Sequence, residues 1–271
     1  MRLLFFVLLI FSFDVQSKIP EPGYGLPELA SEARIKELNS KKRAKVMTPS
    51  VQRKMQRVLE ALDEAGILEQ EQALLKKEKK DKEAEAKDKE IAKAIANGQR
   101  ELDDLKTRLA SLQSYDRSMY YYYSAYYNLA YQDKISEAMN NYVKLVAEKD
   151  TAEKLRVNAY YVLAQLYLSE SNYESGLDYL LRWFKNTAEV NPDGYVLLGQ
   201  AYYLLADKES TKSKVLASYQ KAYNNMVEAK RLADEKQIRF RENWYSLLLA
   251  SMGELDLKNE HCLLYTSPSP R

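Results

Sequence analysis

The chain has 271 residues, and its charges nearly cancel, since 41 basic side chains stand against 39 acidic ones. The formal net charge of +2 excludes a protein-wide field of the kind that attracts nucleic acid or a strongly acidic partner. Only 8 glycines and 7 prolines are present, β-branched runs are scarce, and polar and apolar residues alternate nowhere over a useful length. The composition therefore predicts an all-α protein.

Residues 1–17 are typical of a cleavable export signal. Arg2 supplies the charged start, Leu3 to Phe13 is an apolar core of 11 residues, and Val15-Gln16-Ser17 resembles a cleavage site. A core of this length is too short for a stable membrane anchor, which needs about 20 residues. No lipoprotein-type cysteine follows the signal. We expect cleavage before Lys18 and export.

Residues 262–271 break the pattern of the preceding chain and resemble the read-through translation of a sequencing-library adaptor. On this interpretation they are an artefact, and the natural protein continues past about His261. The single cysteine, Cys262, is then foreign to the protein, so disulfide and thiol chemistry are not expected.

Residues 18–47 combine three prolines and two glycines with low hydrophobicity, followed by a basic cluster at 41–45. Helix breakers in a polar segment favour a flexible linker. The basic cluster would suit an acidic partner or membrane headgroups, but a solvated linker is the favoured interpretation. Any membrane association is accordingly expected to be peripheral.

Residues 48–113 are predicted to form a long helical hairpin with a charged tip. Thr48 and Pro49 suit the N-cap and the first helical position. Four apolar residues then follow at helical spacing: Val51, Met55, Val58 and Leu62. Gly66 is expected to interrupt this helix. Residues 69–89 are dominated by Lys, Glu, Ala and Asp, which leaves little apolar surface to bury.

The second half of the hairpin carries a short seam of coiled-coil type. Its apolar residues are Ile91, Ile95, Leu102, Leu105, Leu109 and Leu112. Gly98 is the one seam position without an apolar side chain, which makes it the weak point of the seam. We expect this seam to pack against the apolar stripe of the first helix, in an antiparallel arrangement. The alternative is self-association through residues 91–112, which would give a homo-oligomer.

A short helix pattern occurs twice further along the chain. Residues 160–167 (YYVLAQLY) and 195–202 (YVLLGQAY) both begin with an aromatic residue and continue with Leu, a small residue, Gln and Tyr. The small residues are Ala164 and Gly199, 35 positions apart. A repeat of about 20–50 residues is the mark of a solenoid. A small residue at this position lets the following helix approach closely.

The pattern resembles the tetratricopeptide repeat, a helix–turn–helix unit of about 34 residues. The resemblance implies a helical-hairpin solenoid over residues 114–257, with three complete units, a truncated fourth, and about one extra turn at 207–214. The positions expected to pack the units together are Ala125, Ala138, Ala164, Tyr167, Gly176, Gly199, Tyr202, Ala222 and Trp244.

Longer phrases are similar to exported repeat proteins that are encoded beside TonB–ExbB–ExbD energy-transducing systems of Gram-negative bacteria. They lie at residues 47–51, 179–184, 194–203 and 242–245. This resemblance implies a periplasmic accessory protein of TonB-dependent uptake that acts by contact and has no chemistry of its own. The charged insertion at 69–90 departs from the family's pattern.

Residue types that carry catalysis or bind metals are few. His261 is the only histidine and adjoins the adaptor-like tail, so no Ser/His/Asp, Cys/His or metal-ligand set can be assembled. No glycine-rich loop precedes a helix in a way that would cradle phosphate. Carboxylates at 69–104 alternate with lysine and are interpreted as a solvated face, with an all-carboxylate site as the alternative. We predict a non-enzyme without metal or cofactor.

In a solenoid of helix pairs, the first helix of each unit lines a concave groove. The family pattern places ten residues there: Tyr122, Tyr126, Asn158, Tyr161, Gln165, Asp193, Val196, Gln200, Glu242 and Tyr245. Gln165 and Gln200 occupy equivalent positions, and a side-chain amide both donates and accepts, which suits an extended peptide backbone.

The expected function is a periplasmic scaffold that holds a protein or peptide, such as a segment of a TonB-type energy transducer, and that does not bind nucleic acid. The alternative is a structural module of envelope assembly or secretion that oligomerises through residues 91–112. An enzyme would require a site that the residue types do not indicate.

Overall fold

The computed structural model describes residues 24–40 and 45–257. Within these residues every regular element is helical and no strand occurs, so the all-α prediction is confirmed. The helices are α1 (Glu32–Asn39), α2 (Pro49–Lys77), α3 (Asp81–Thr107), α4 (Ser114–Tyr131), α5 (Ile135–Ala147), α6 (Glu153–Ser169), α7 (Tyr173–Asn186), α8 (Pro192–Ala206), α9 (Lys212–Glu235) and α10 (Glu242–Glu254), with a 3-10 turn at Leu109–Ser111.

Two sequence predictions fall outside this part of the chain. The export signal at 1–17 and the adaptor-like residues 262–271 are not among the described residues. In the part that the structure describes, no helix is both long and apolar enough to cross a membrane.

The start of α2 follows from local sequence. Thr48 is the N-cap residue, and Pro49 occupies the first helical position, where its missing N–H leaves no helix hydrogen bond unmade. The apolar stripe faces the interior, since Val51, Met55 and Val58 are all fully buried. This burial fixes which face of α2 the rest of the molecule contacts.

The expected interruption at Gly66 is wrong, because α2 continues without a break to Lys77. One glycine lowers helix stability by only about 1 kcal/mol relative to alanine. Ala65, the adjacent residue, is fully buried. Packing of this face therefore outweighs the local cost of the glycine.

Helices α2 and α3 lie side by side and run in opposite directions. The Lys54 ammonium lies 3.0 Å from a Glu101 carboxylate oxygen, and the Gln72 amide donates to Asp88 at 2.5 Å. Residue numbers thus rise along one helix as they fall along the other. The chain reverses at 78–80, where Lys79 adopts a left-handed conformation with a φ of 58°.

The remaining helices pack in chain order. Helix α4 lies against α5, α6 against α7, and α8 against α9, while α5 contacts α6 and α7 contacts α8. Helix α10 then lies against α9 and α8. Two buried clusters run through this assembly, one from α2 to α6 and one from α6 to α10. Adjacent residues of α6, Leu163 and Ala164, belong to different clusters, so this helix joins them.

The described part of the predicted linker, residues 24–40, differs from the flexible segment expected for 18–47. It contains α1 and contacts the helices downstream, since the Ala30 N–H donates to the Phe184 carbonyl at 3.1 Å. Pro27 is buried and Leu26 packs against the second cluster. A few apolar residues suffice to dock this segment because they meet a surface that the rest of the chain has already built.

Candidate functional site

The ten residues predicted to line a groove all belong to helices α4, α6, α8 and α10. The exposed ones are Tyr126, Asn158, Gln165, Gln200 and Glu242. The half-buried ones are Tyr122, Tyr161, Asp193, Val196 and Tyr245. The set therefore combines exposed polar groups with partly buried tyrosine rings.

The residues predicted to pack the units lie deeper. The buried ones are Ala125, Ala138, Ala164, Gly176, Gly199, Ala222 and Trp244, and the half-buried ones are Tyr167 and Tyr202. Gly199 shows why a small residue is required. A Cβ added there would lie 2.9 Å from the Met226 sulfur and 3.2 Å from the Ala222 carbonyl oxygen, so the Met226 side chain and the α9 backbone would both have to shift.

The amides of Gln165 and Gln200 point to solvent from equivalent positions of α6 and α8. Neither side chain has a hydrogen-bond partner among the residues that the structure describes. Each amide can therefore donate and accept at once. Two such groups, one on α6 and one on α8, are suited to a ligand that presents main-chain N–H and C=O groups.

One aromatic patch connects α6, α7, α8 and α10. The Tyr161 ring lies 5.0 Å from the Trp183 ring, centroid to centroid. Burial, and then the negative charge of Asp193, raise the pKa of the Tyr161 phenol. Asp193 lies 3.4 Å from the Arg241 guanidinium, which also covers the Trp244 ring at 4.5 Å.

Sequence reasoning missed Arg241. It occupies the N-cap position of α10, immediately before the Glu242-Asn243-Trp244 phrase, so its position beside the tryptophan was a usable signal. Phe240 was missed as well, and its ring lies 4.8 Å from that of Tyr245. At the α10 side of the patch, Arg241 therefore adds a positive charge and Phe240 adds apolar surface.

A second aromatic patch lies on α4. The Tyr126 and Tyr131 rings are 6.3 Å apart. Burial, the Glu69 charge and the nearby Tyr126 raise the pKa of Tyr131 to about 12. On α5, burial is the main cause that raises the pKa of Tyr142 to about 12, with smaller contributions from Tyr122 and Tyr126. These phenols stay neutral at physiological pH.

The apolar seam of α3 packs against other helices of the same chain. Leu102 and Leu105 are buried in the first cluster, and Ile95 packs against it. Gly98 lies under Tyr127, so closely that an added Cβ would overlap the phenol oxygen. Self-association through this seam would require α3 to leave α2 and α4.

One cleft lies away from the two aromatic patches. This cleft of about 360 Å³ lies beside the turn between α6 and α7 and is lined mainly by polar residues of that turn, together with Leu205 and Lys208. None of the ten predicted groove residues lines it. Within 24–40 and 45–257, no group of three or more His, Cys, Asp or Glu side chains is placed to hold a metal ion.

Comparisons of the chain with protein-family models, with curated proteins and with solved structures gave no match. The functional assignment therefore rests on the residues and on the geometry.

Proposed function

We propose that this protein is a non-catalytic, protein-binding scaffold whose α4–α10 region is a solenoid of the tetratricopeptide type, preceded by the α2–α3 pair as a long charged hairpin. The ligand is a peptide or helix held along the first helices of the units. The observation that carries this proposal is the pair of equivalent, exposed amides at Gln165 and Gln200, with the aromatic patch around Tyr161 next to them.

The proposed mode of binding follows from this chemistry. The two glutamines exchange hydrogen bonds with successive peptide groups of the ligand, which gives affinity for an extended backbone of any sequence. Tyr161 and Tyr245 supply apolar contact area on rigid side chains, at a low cost in conformational entropy. Arg241 and Asp193 add a positive and a negative charge at the α10 end of the groove. These charges favour one chain direction of the bound peptide over the other.

The biological setting is the more specific part of the proposal. The phrases at 179–184, 194–203 and 242–245 resemble exported repeat proteins associated with TonB systems. We therefore assign the protein to the periplasm as an accessory factor of TonB-dependent uptake. Its ligand is then a segment of a TonB-type energy transducer or of the receptor that this transducer serves.

Binding of the periplasmic domain of a TonB-type transducer to the immobilised full chain tests this proposal. The Gln165→Ala/Gln200→Ala double variant should lower the affinity about tenfold, since each lost hydrogen bond contributes about 0.5–1.5 kcal/mol. Asn140→Ala, an exposed amide on α5, is the matched control and should bind like the wild type. Equal capture by all three proteins would reject the groove, and no capture by the wild type would reject the partner.

A further inference from the structure

Residues 24–31, here called the strap, lie against α7 and α9 and begin with a turn at Tyr24 and Gly25. The strap and α9 are 200 residues apart in the chain, yet the Asn224 amide donates to the Tyr24 carbonyl at 2.8 Å. The next amide, that of Asn225, donates to the Gly25 carbonyl at 3.0 Å. At the other end of the strap, the Ala30 N–H donates to the Phe184 carbonyl.

These contacts recognise backbone groups. Two adjacent asparagines on one helix donate to two successive carbonyls of the strap, so they recognise main-chain atoms that any side chain would leave in place. The Asn225 side chain is completely buried, so its amide position is fixed by the packing around it. A fixed donor of this kind favours a ligand that places a carbonyl at that point.

The strap's side chains add selectivity. Gly25 has a φ of +77°, and a Cβ added there would overlap the Lys221 side chain, so only glycine fits. Leu26 packs against the second cluster and Pro27 is buried. The Lys221 ammonium lies 5.8 Å from the Tyr24 ring and 5.2 Å from the Tyr202 ring, which places the cation next to both.

We propose that the surface formed by Phe184, Tyr202, Lys221, Asn224 and Asn225 is a second peptide-binding site, occupied in this structure by the chain's own strap. It takes peptides with the pattern Tyr-Gly-Leu-Pro, in which the glycine adopts the left-handed conformation of Gly25. The site is separate from the groove residues and does not depend on the proposed function. When the strap is released, the same site binds such a peptide in trans.

The covalent attachment explains why the strap occupies the site. A tethered segment has an effective concentration in the millimolar range, so a free peptide at micromolar concentration does not compete. The flanking ion pairs, Glu28–Lys185 and Arg34–Glu153, are at least partly exposed and contribute little. The strap's central contacts therefore decide between the bound and the released state.

The experiment uses the full chain and a fluorescein-labelled peptide of residues 24–34. Gly25→Ala should release the strap, so this variant binds the peptide at least tenfold more tightly than the wild type does. Leu26→Asp releases the strap by a different contact and should behave in the same way. Gly66→Ala is the matched control, because its added Cβ meets nothing within 4 Å, and it should bind as weakly as the wild type.

Hydrogen exchange of the Ala30 amide, which donates to the Phe184 carbonyl, reports the state of the strap directly. This amide should be protected in the wild type and in Gly66→Ala, and it should exchange rapidly in both release variants. A peptide that carries alanine at the Gly25 position should not bind any of the proteins. If the strap is released and the peptide still does not bind, the site is rejected. Protection that persists in Gly25→Ala would equally overturn the proposal, since the glycine requirement is part of it.

Discussion

The α2–α3 pair and the α4–α10 region are both built from helices that pack against their chain neighbours, but different side chains hold them together. Between α2 and α3 the buried positions include alanines such as Ala65 and Ala84. In α4–α10 they include the rings of Tyr127, Phe184 and Trp244. Helices α2 and α3 contain no aromatic residue, whereas the core of α4–α10 combines buried rings with buried alanines and leucines.

Charged side chains along the solvent-facing side of the α2–α3 pair, here called the charged rim, form ion pairs with one another. Glu101 bonds to both Lys54 and Arg57, and Lys87 pairs with Glu71 nearer the far end. Surface ion pairs of this kind contribute only about 0–1 kcal/mol each. The difference between the regions is therefore that aromatic burial is confined to α4–α10, while α2 and α3 combine an aliphatic core with exposed ion pairs.

The largest effect should come from truncating the aromatic region's core. Leu180 is fully buried in the second cluster, and Leu180→Ala should lower the free energy of unfolding by about 2–5 kcal/mol. Leu74→Ala, on the outer part of α2 where the side chain is 58% exposed, should change it by less than about 0.5 kcal/mol. Urea unfolding followed by circular dichroism measures both. Equal losses would mean that burial does not set the cost of truncation at these two positions.

A smaller effect is expected where the two regions meet. Gly98 of α3 faces the Tyr127 ring of α4, and Gly98→Ala should cost about 1–3 kcal/mol, because the new Cβ overlaps the phenol. The contrasting variant is Gly66→Ala, measured in the same way. The Cβ added at Gly66 meets nothing within 4 Å, so this substitution should stabilise α2 by up to about 1 kcal/mol. A stabilising Gly98→Ala would show that α3 and α4 are not closely packed.

These contrasts also show what sequence could predict. The spacing of Val51, Met55 and Val58 indicated the buried face of α2, and all-helical composition was enough for the fold class. Periodicity works here because it reports which side of a helix is apolar. The small residues at Ala164 and Gly199 were likewise visible as a repeat, and both are buried.

Other features depended on contacts between distant residues. The continuation of α2 through Gly66 depends on packing that a local propensity does not include. The docking of residues 24–31 depends on Asn224 and Asn225, which are far away in the chain. In both cases the local sequence contains one partner of the interaction and gives no indication of the other.

The smallest predicted effect concerns the charged rim. Hydrogen bonds from Arg57, opposed by partial burial and aided by Lys54, lower the pKa of Glu101 from 4.5 to about 2. Because the folded-state pKa is the lower one, the contribution of Glu101 to stability is fully present above pH 4.5 and is lost as the pH falls through about 2. Solvent screening limits this contribution to about 1 kcal/mol at pH 7. Glu101→Gln should therefore unfold more readily than the wild type at pH 7, and the difference should shrink between pH 4.5 and 2.

Glu85→Gln, which replaces an exposed carboxylate on the same helix, is the control and should follow the wild type at every pH. A Glu101→Gln difference that stays constant down to pH 2 would show that the lost stability comes from packing and not from charge.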